Sequence, residues 1–179
     1  MILPIIYYGN PLLRQHSKKI IEINGEVKQL AFDMIETMDA LRGVGLAAVQ
    51  VGKPLRIFVM RPGIEQPDGK MVLGEVEVYI NPKILSVSKE EEINEEGCLS
   101  VPGFLEEVKR PFSVVIEATD LEGRIFRKEL KGFPAREALH ENDHLNAVLF
   151  IDRLSDEKKK EIKPLLNAIE KKSSGLFLN

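Results

Sequence analysis

The chain has 179 residues, 44% of them hydrophobic, enough for one globular domain over residues 1–179 with an ordinary core. A formal charge of −3 gives no global reason to expect DNA or an anionic membrane as partner. No apolar run approaches the roughly 20 residues of a membrane span, Met1-Ile-Leu-Pro-Ile-Ile lacks the pattern of a signal peptide, and a single cysteine suits a reducing cytoplasm.

Val27, Leu30, Ala31, Met34, Ile35 and Met38 recur at helical spacing behind Asn24-Gly25, which predicts an amphipathic helix ending near Arg42-Gly43. Leu55–Met60 reads as a buried strand. Arg61-Pro-Gly and Pro67-Asp-Gly69 read as loop. Glu75–Ile80 and Lys83–Ser88 read as extended chain around Asn81-Pro82, and Ser113–Thr119 with Arg124–Leu130 as a hairpin across Asp120-Leu-Glu-Gly123. Gly132-Phe133-Pro134 opens the next helix, with proline suited to its first turn. Ser155-Asp-Glu begins the last one, interrupted or restarted at Pro164. Strands followed by a central helix predict an α+β fold, with mixed antiparallel sheets around that helix and a C-terminal helix in the tail 155–179.

The central helix carries His140-Glu141-Asn142-Asp143-His144, two of the chain's three histidines. Imidazoles four residues apart on a helix share one face and can bind one ion. Glu141 lies about 100° round the helix from His140, close enough to reach a water on that ion without ligating it. Two histidines need a third ligand. Cys98, in Glu96-Gly97-Cys98-Leu99-Ser100, is the candidate. Its neighbouring glycines suggest a loop, and one Cys with two His leaves a fourth position open, as catalytic sites do. Gly43-Val-Gly45-Leu-Ala-Ala48-Val-Gln50 lacks phosphate-loop spacing and reads alone as a tight turn with small-residue packing. Gln50 could nevertheless donate to a developing oxyanion.

Taken together and in this order, Gly43-x-Gly-Leu-Ala-Ala-x-Gln50, Glu96-Gly-Cys-Leu-Ser100 and His140-Glu-x-x-His144 resemble the three signature motifs of peptide deformylases. The likeness extends through Tyr8–Leu13, Val51-Gly52, Ile80-Asn-Pro82 and Leu149–Arg153, and thins after Leu154. It implies hydrolytic removal of the formyl group from N-formylmethionine on newly made proteins. It also implies Cys98, His140 and His144 as metal ligands, Glu141 as general acid/base, and Gln50 with the Leu99 N–H as oxyanion donors. Gly43, Val44, Gly45 and the start of the metal helix would line the methionine pocket. The implied cofactor is one divalent ion, natively Fe(II), with zinc, nickel or cobalt as substitutes. N-formylmethionyl nascent peptides are the implied partners, together with the ribosome through the C-terminal tail, where residues 155–179 carry +2 against −5 for the rest.

Four positions depart from the family pattern. Leu139 and Ala147 replace a common glutamine and glycine, and Leu105 an arginine near the substrate backbone. Glu137 replaces a usually apolar residue that faces the substrate side chain, unless it turns away or pairs with Arg136 or another base. Two other readings stand beside the deformylase. One is a zinc endopeptidase taking its third ligand from Glu161 or Glu170. The other is a binding protein with a closed structural metal site, which lacks a fourth ligand, since isolated His16 reads as a surface residue.

Overall fold

Helix α1, Gly25–Ala40, starts where the Asn24 Oδ1 accepts the Val27 N–H at 3.1 Å. In this computed structural model, which describes residues 1–175, α1 lies on one face of a five-stranded antiparallel sheet. Its strands are β1 (Gly45–Ala47), β2 (Ile57–Met60), β5 (Glu77–Val87), β8 (Ser113–Thr119) and β9 (Ile125–Lys131), adjacent in that order. Helix α2, Phe133–Leu145, covers the opposite face with Pro134 in its first turn, as expected.

The alternation of β2 shows why both helices are needed. Ile57 and Val59 pack with Val27, Ala31, Met34 and Met38 of α1, whereas Phe58 and Met60 pack with Ala138 and Leu145 beneath α2. A strand buried on both faces reads as a continuous apolar run, and all four residues are fully buried. A third core joins Val101, Val108, Leu149 and Phe150 to Ile162, Leu166 and Ile169 of helix α3, Asp156–Gly175.

The structure revises the sequence reading in four places. The stretch expected as loop after Arg61 forms a small hairpin, β3 (Gly63–Glu65) with β4 (Met71–Leu73). The two extended pieces around Asn81-Pro82 are one strand, β5, with a register shift there. Asn81 takes φ 51°, and its side-chain amide bonds both the N–H and C=O of Ile20. Glu91–Cys98 (β6) and Val101–Pro111 (β7) form a long hairpin where the glycines suggested loop. Helix α3 runs through Pro164 without restarting. The last four residues of the expected tail lie outside those described.

Candidate metal centre and active site

Three elements converge on the site. In β6, residues 96 and 98 share one side of the strand, so the Glu96 carboxylate and the Cys98 thiol both face α2. In α2, His140 and His144 stand one turn apart with ring centroids 5.0 Å apart. A short 3-10 turn over Ala48–Val51 delivers Gln50 between them and the hairpin.

Cys98, His140 and His144 each offer a ligand atom, and these atoms all lie within 4.8 Å of one another. The Cys98 Sγ is 3.3 Å from His144 Nε2. Sulfur and nitrogen on one tetrahedral ion at ~2.3 and ~2.0 Å lie about 3.5 Å apart, so this set fits a single ion. It is the grouping of three or more potential ligands found among the described residues. Glu161 and Glu170 lie on α3 outside that grouping, and His16 is exposed beside Asn146, so the structure supports neither the third ligand of an endopeptidase nor the fourth of a closed site.

Glu96 is the functional residue that sequence reasoning missed. It accepts a hydrogen bond from His140 Nδ1 at 2.9 Å, which leaves Nε2 to face the metal position. Glu96 is itself buried and held by two guanidinium groups. Arg110 grips both its oxygens at 2.7 and 2.8 Å, and Arg136 Nη1 donates to Oε1 at 2.8 Å. Burial raises the Glu96 pKa, but hydrogen bonds from Arg110 and His140 outweigh it and hold the carboxyl far below the usual range. Arg110 also donates to Asp143 at 2.6 Å, which Arg153 binds with two 2.6 Å bonds. Two signals could have revealed this network: strand alternation from Cys98, and two arginines in strongly apolar surroundings that need anionic partners.

Glu141 is 5% exposed, and its Oε2 has no hydrogen-bond partner. Burial pushes its pKa up to about 7, opposed by nearby His140. A carboxyl poised near neutrality can both take and return a proton. Gly45 faces it directly: a Cβ there would lie 2.9 Å from the Glu141 Cδ and closer to Oε1, so any larger residue would push the Glu141 carboxyl aside. The Gln50 Oε1 accepts the Ala47 N–H at 2.8 Å, turning its NH2 toward Cys98 Sγ at 3.4 Å and Ser100 Oγ at 3.2 Å.

A cleft of about 970 Å³ opens over these groups, and Gly43, Val44, Gly45, Leu99, Phe133 and Glu137 are among the residues lining it. Glu137 therefore does not turn away. Arg136, its expected partner, is spent on Glu96 and on the Val108 carbonyl at 2.7 Å. Exposed Leu105 also borders the cleft.

The sequence and fold both match known proteins. Residues 2–160 match the family described as Polypeptide deformylase. The peptide deformylase of Acinetobacter baumannii (strain SDF) is 42% identical over 168 residues, covering 94% of this chain and 92% of that protein. That of Bradyrhizobium diazoefficiens is 41% identical over 158 residues, 88% and 90% of the two chains. Among solved structures, the peptide deformylase from Ehrlichia chaffeensis superposes with a TM-score of 0.87 at 34% identity, covering 99% of this chain and all of that one. A plant peptide deformylase gives 0.86 at 40% identity, covering 95% and 90%. The chain belongs to the polypeptide deformylase family.

Proposed function

We propose that this enzyme removes the N-formyl group from the N-terminal formylmethionine of newly made proteins, using one metal ion held by Cys98, His140 and His144. The observation that carries the reading is the convergence of one thiol and two imidazoles beside a buried, partly unpartnered glutamate. A divalent ion bound there supplies Lewis-acid polarisation and acidifies water at neutral pH.

The chain's own groups account for the rest. Glu141 accepts the proton of the attacking water, whose oxygen bonds to the formyl carbon. Charge that grows on the formyl oxygen is met by the Gln50 Nε2 and the Leu99 N–H. The C–N bond then breaks, Glu141 returns the proton to the departing amine, and formate leaves. Gly43, Val44 and Gly45 form the wall along which the first side chain lies. A formyl carbon bears only hydrogen, so a narrow pocket at that point would exclude larger acyl groups.

Fe(II) is the proposed native ion, because the family resemblance favours it. One thiolate and two imidazoles also accept zinc, nickel or cobalt. No helix among the described residues is long and apolar enough to cross a membrane. The proposed place of action is the cytoplasm, on chains leaving the ribosome. Lys159, Lys160, Lys163, Lys171 and Lys172, all exposed on α3, are the proposed contacts to ribosomal RNA phosphates. Glu141→Gln tests the chemistry. It should keep its metal while losing ~10²–10⁴-fold in turnover, and near-wild-type turnover would assign the proton transfer elsewhere.

A further inference from the structure

Glu137 takes no part in the reaction described above, yet it lines the same cleft. Phe133, Glu137 and Glu141 recur every four residues on one face of α2, and all three line the cleft. Glu137 is 5% exposed, and neither of its carboxyl oxygens has a hydrogen-bond partner. Arg136 and Lys128 are engaged elsewhere, with Glu96 and Glu77, and Arg42, which also lines the cleft, makes no hydrogen bond to Glu137. Its surroundings are Glu141, Glu77, His140 and the Gly63 amide, which acts on it without meeting hydrogen-bond geometry. Burial, then the nearby carboxylates, push its pKa up to about 8.

A buried carboxyl without a partner is costly, and native structures hold few. Here the missing partner has an obvious source. A substrate whose scissile nitrogen sits beside Glu141 directs its first side chain along the cleft, and Glu137 lies one helical turn away, about 5.4 Å along the axis. An unbranched side chain of methionine's length spans that distance. Val44 and Leu99, which also line the cleft, bring only apolar side chains to it.

We propose that Glu137 is a specificity-determining residue. Its carboxyl hydrogen-bonds the end of the substrate's first side chain, so that the enzyme accepts formyl-peptides beginning with glutamine alongside those beginning with formylmethionine. Glutamine has methionine's length, and its amide offers both donor and acceptor, so it complements a carboxyl in either protonation state. The inference rests on the deformylase reading of the cleft.

The test compares kcat/KM for three formyl-tripeptides that differ only in their first residue: methionine, norleucine and glutamine. The enzymes are the metal-loaded wild type, Glu137→Leu and Glu137→Gln, with Glu137→Val in reserve should the leucine variant not fold by thermal melting. The apolar variant should lower the glutamine-to-norleucine ratio about tenfold, the scale of one hydrogen bond. Glu137→Gln, which keeps hydrogen-bonding atoms in place, should hold that ratio within about threefold of wild type. An unchanged ratio in the apolar variant, or an equal fall in both variants, overturns the proposal. If the wild type releases formate from none of the three peptides, the deformylase reading itself fails.

Discussion

At the scale of single residues, the site depends on groups that never touch substrate. Glu96 fixes the tautomer of His140 and would supply negative charge behind this proposed metal ligand, a role that typically carries 10–100-fold in metal affinity. Glu96→Ala should therefore weaken zinc binding by about that factor in a competition titration with a chromophoric chelator, whereas unchanged affinity would reduce Glu96 to a packing residue. Ala147, two residues past α2, adopts φ 62°, where a side chain is strained. Ala147→Gly should raise the denaturation midpoint, by a gain of about 1 kcal/mol. Glu137 carries a pH signature. Its pKa is about 8 in the fold against 4.5 for a free glutamate, so the folded chain binds the extra proton between those values. The contribution to stability is complete below about 4.5 and is lost as pH rises through 8. Urea midpoints of Glu137→Gln should accordingly match wild type near pH 5 and exceed it at pH 8.5, by roughly 1–3 kcal/mol. A constant offset would remove the carboxyl's titration as the cause.

At the scale of elements, periodic segments were legible and punctuated ones were not. The α1 apolar stripe, the buried run of β2 and the helix opened by Pro134 were all read close to their bounds, because burial on one or both faces dictates residue type directly. The β6–β7 hairpin leaves no local signature, because Gly97 and Gly103 punctuate it around the Leu99–Ser100 turn and its outer face is polar. What makes it a strand pair is its ladder, a nonlocal property. The hairpin of β3 and β4 was likewise hidden, since three-residue strands beside Pro62, Pro67 and Gly69 look like loop. The same limit applied to the site. Histidine spacing on α2 and the thiol motif were readable locally, whereas the Glu96–Arg110–Asp143–Arg153 chain joins β6, β7, α2 and the segment after it. No local pattern joins them. Glu137 could be singled out, but its freedom from Arg136 became visible only once Arg136 was found on Glu96.

At the scale of the whole molecule, helix α3 is part of the fold as well as a carrier of charge. Ile162, Leu166 and Ile169 close the core that contains Phe150, whose ring lies 5.9 Å from that of His140. Ending the chain after Leu154 would bare that core, so the shortened protein should lose cooperative thermal unfolding and activity on short formyl-peptides. A fully active truncation would show that the core closes without α3. Ribosome recruitment is better tested by replacing Lys159, Lys160, Lys163, Lys171 and Lys172 with glutamine, which leaves the packed face intact. Co-sedimentation at low salt should fall while hydrolysis of short peptides is retained.

The central claim is that one ion on Cys98, His140 and His144 drives deformylation. It is tested most directly by titrating a divalent metal anaerobically into chelator-stripped protein while recording formate release from a formylmethionyl tripeptide. Activity should rise linearly and break at one equivalent in the wild type, with no such rise in Cys98→Ala. Full activity in the stripped protein, or an indistinguishable titration for Cys98→Ala, would contradict it.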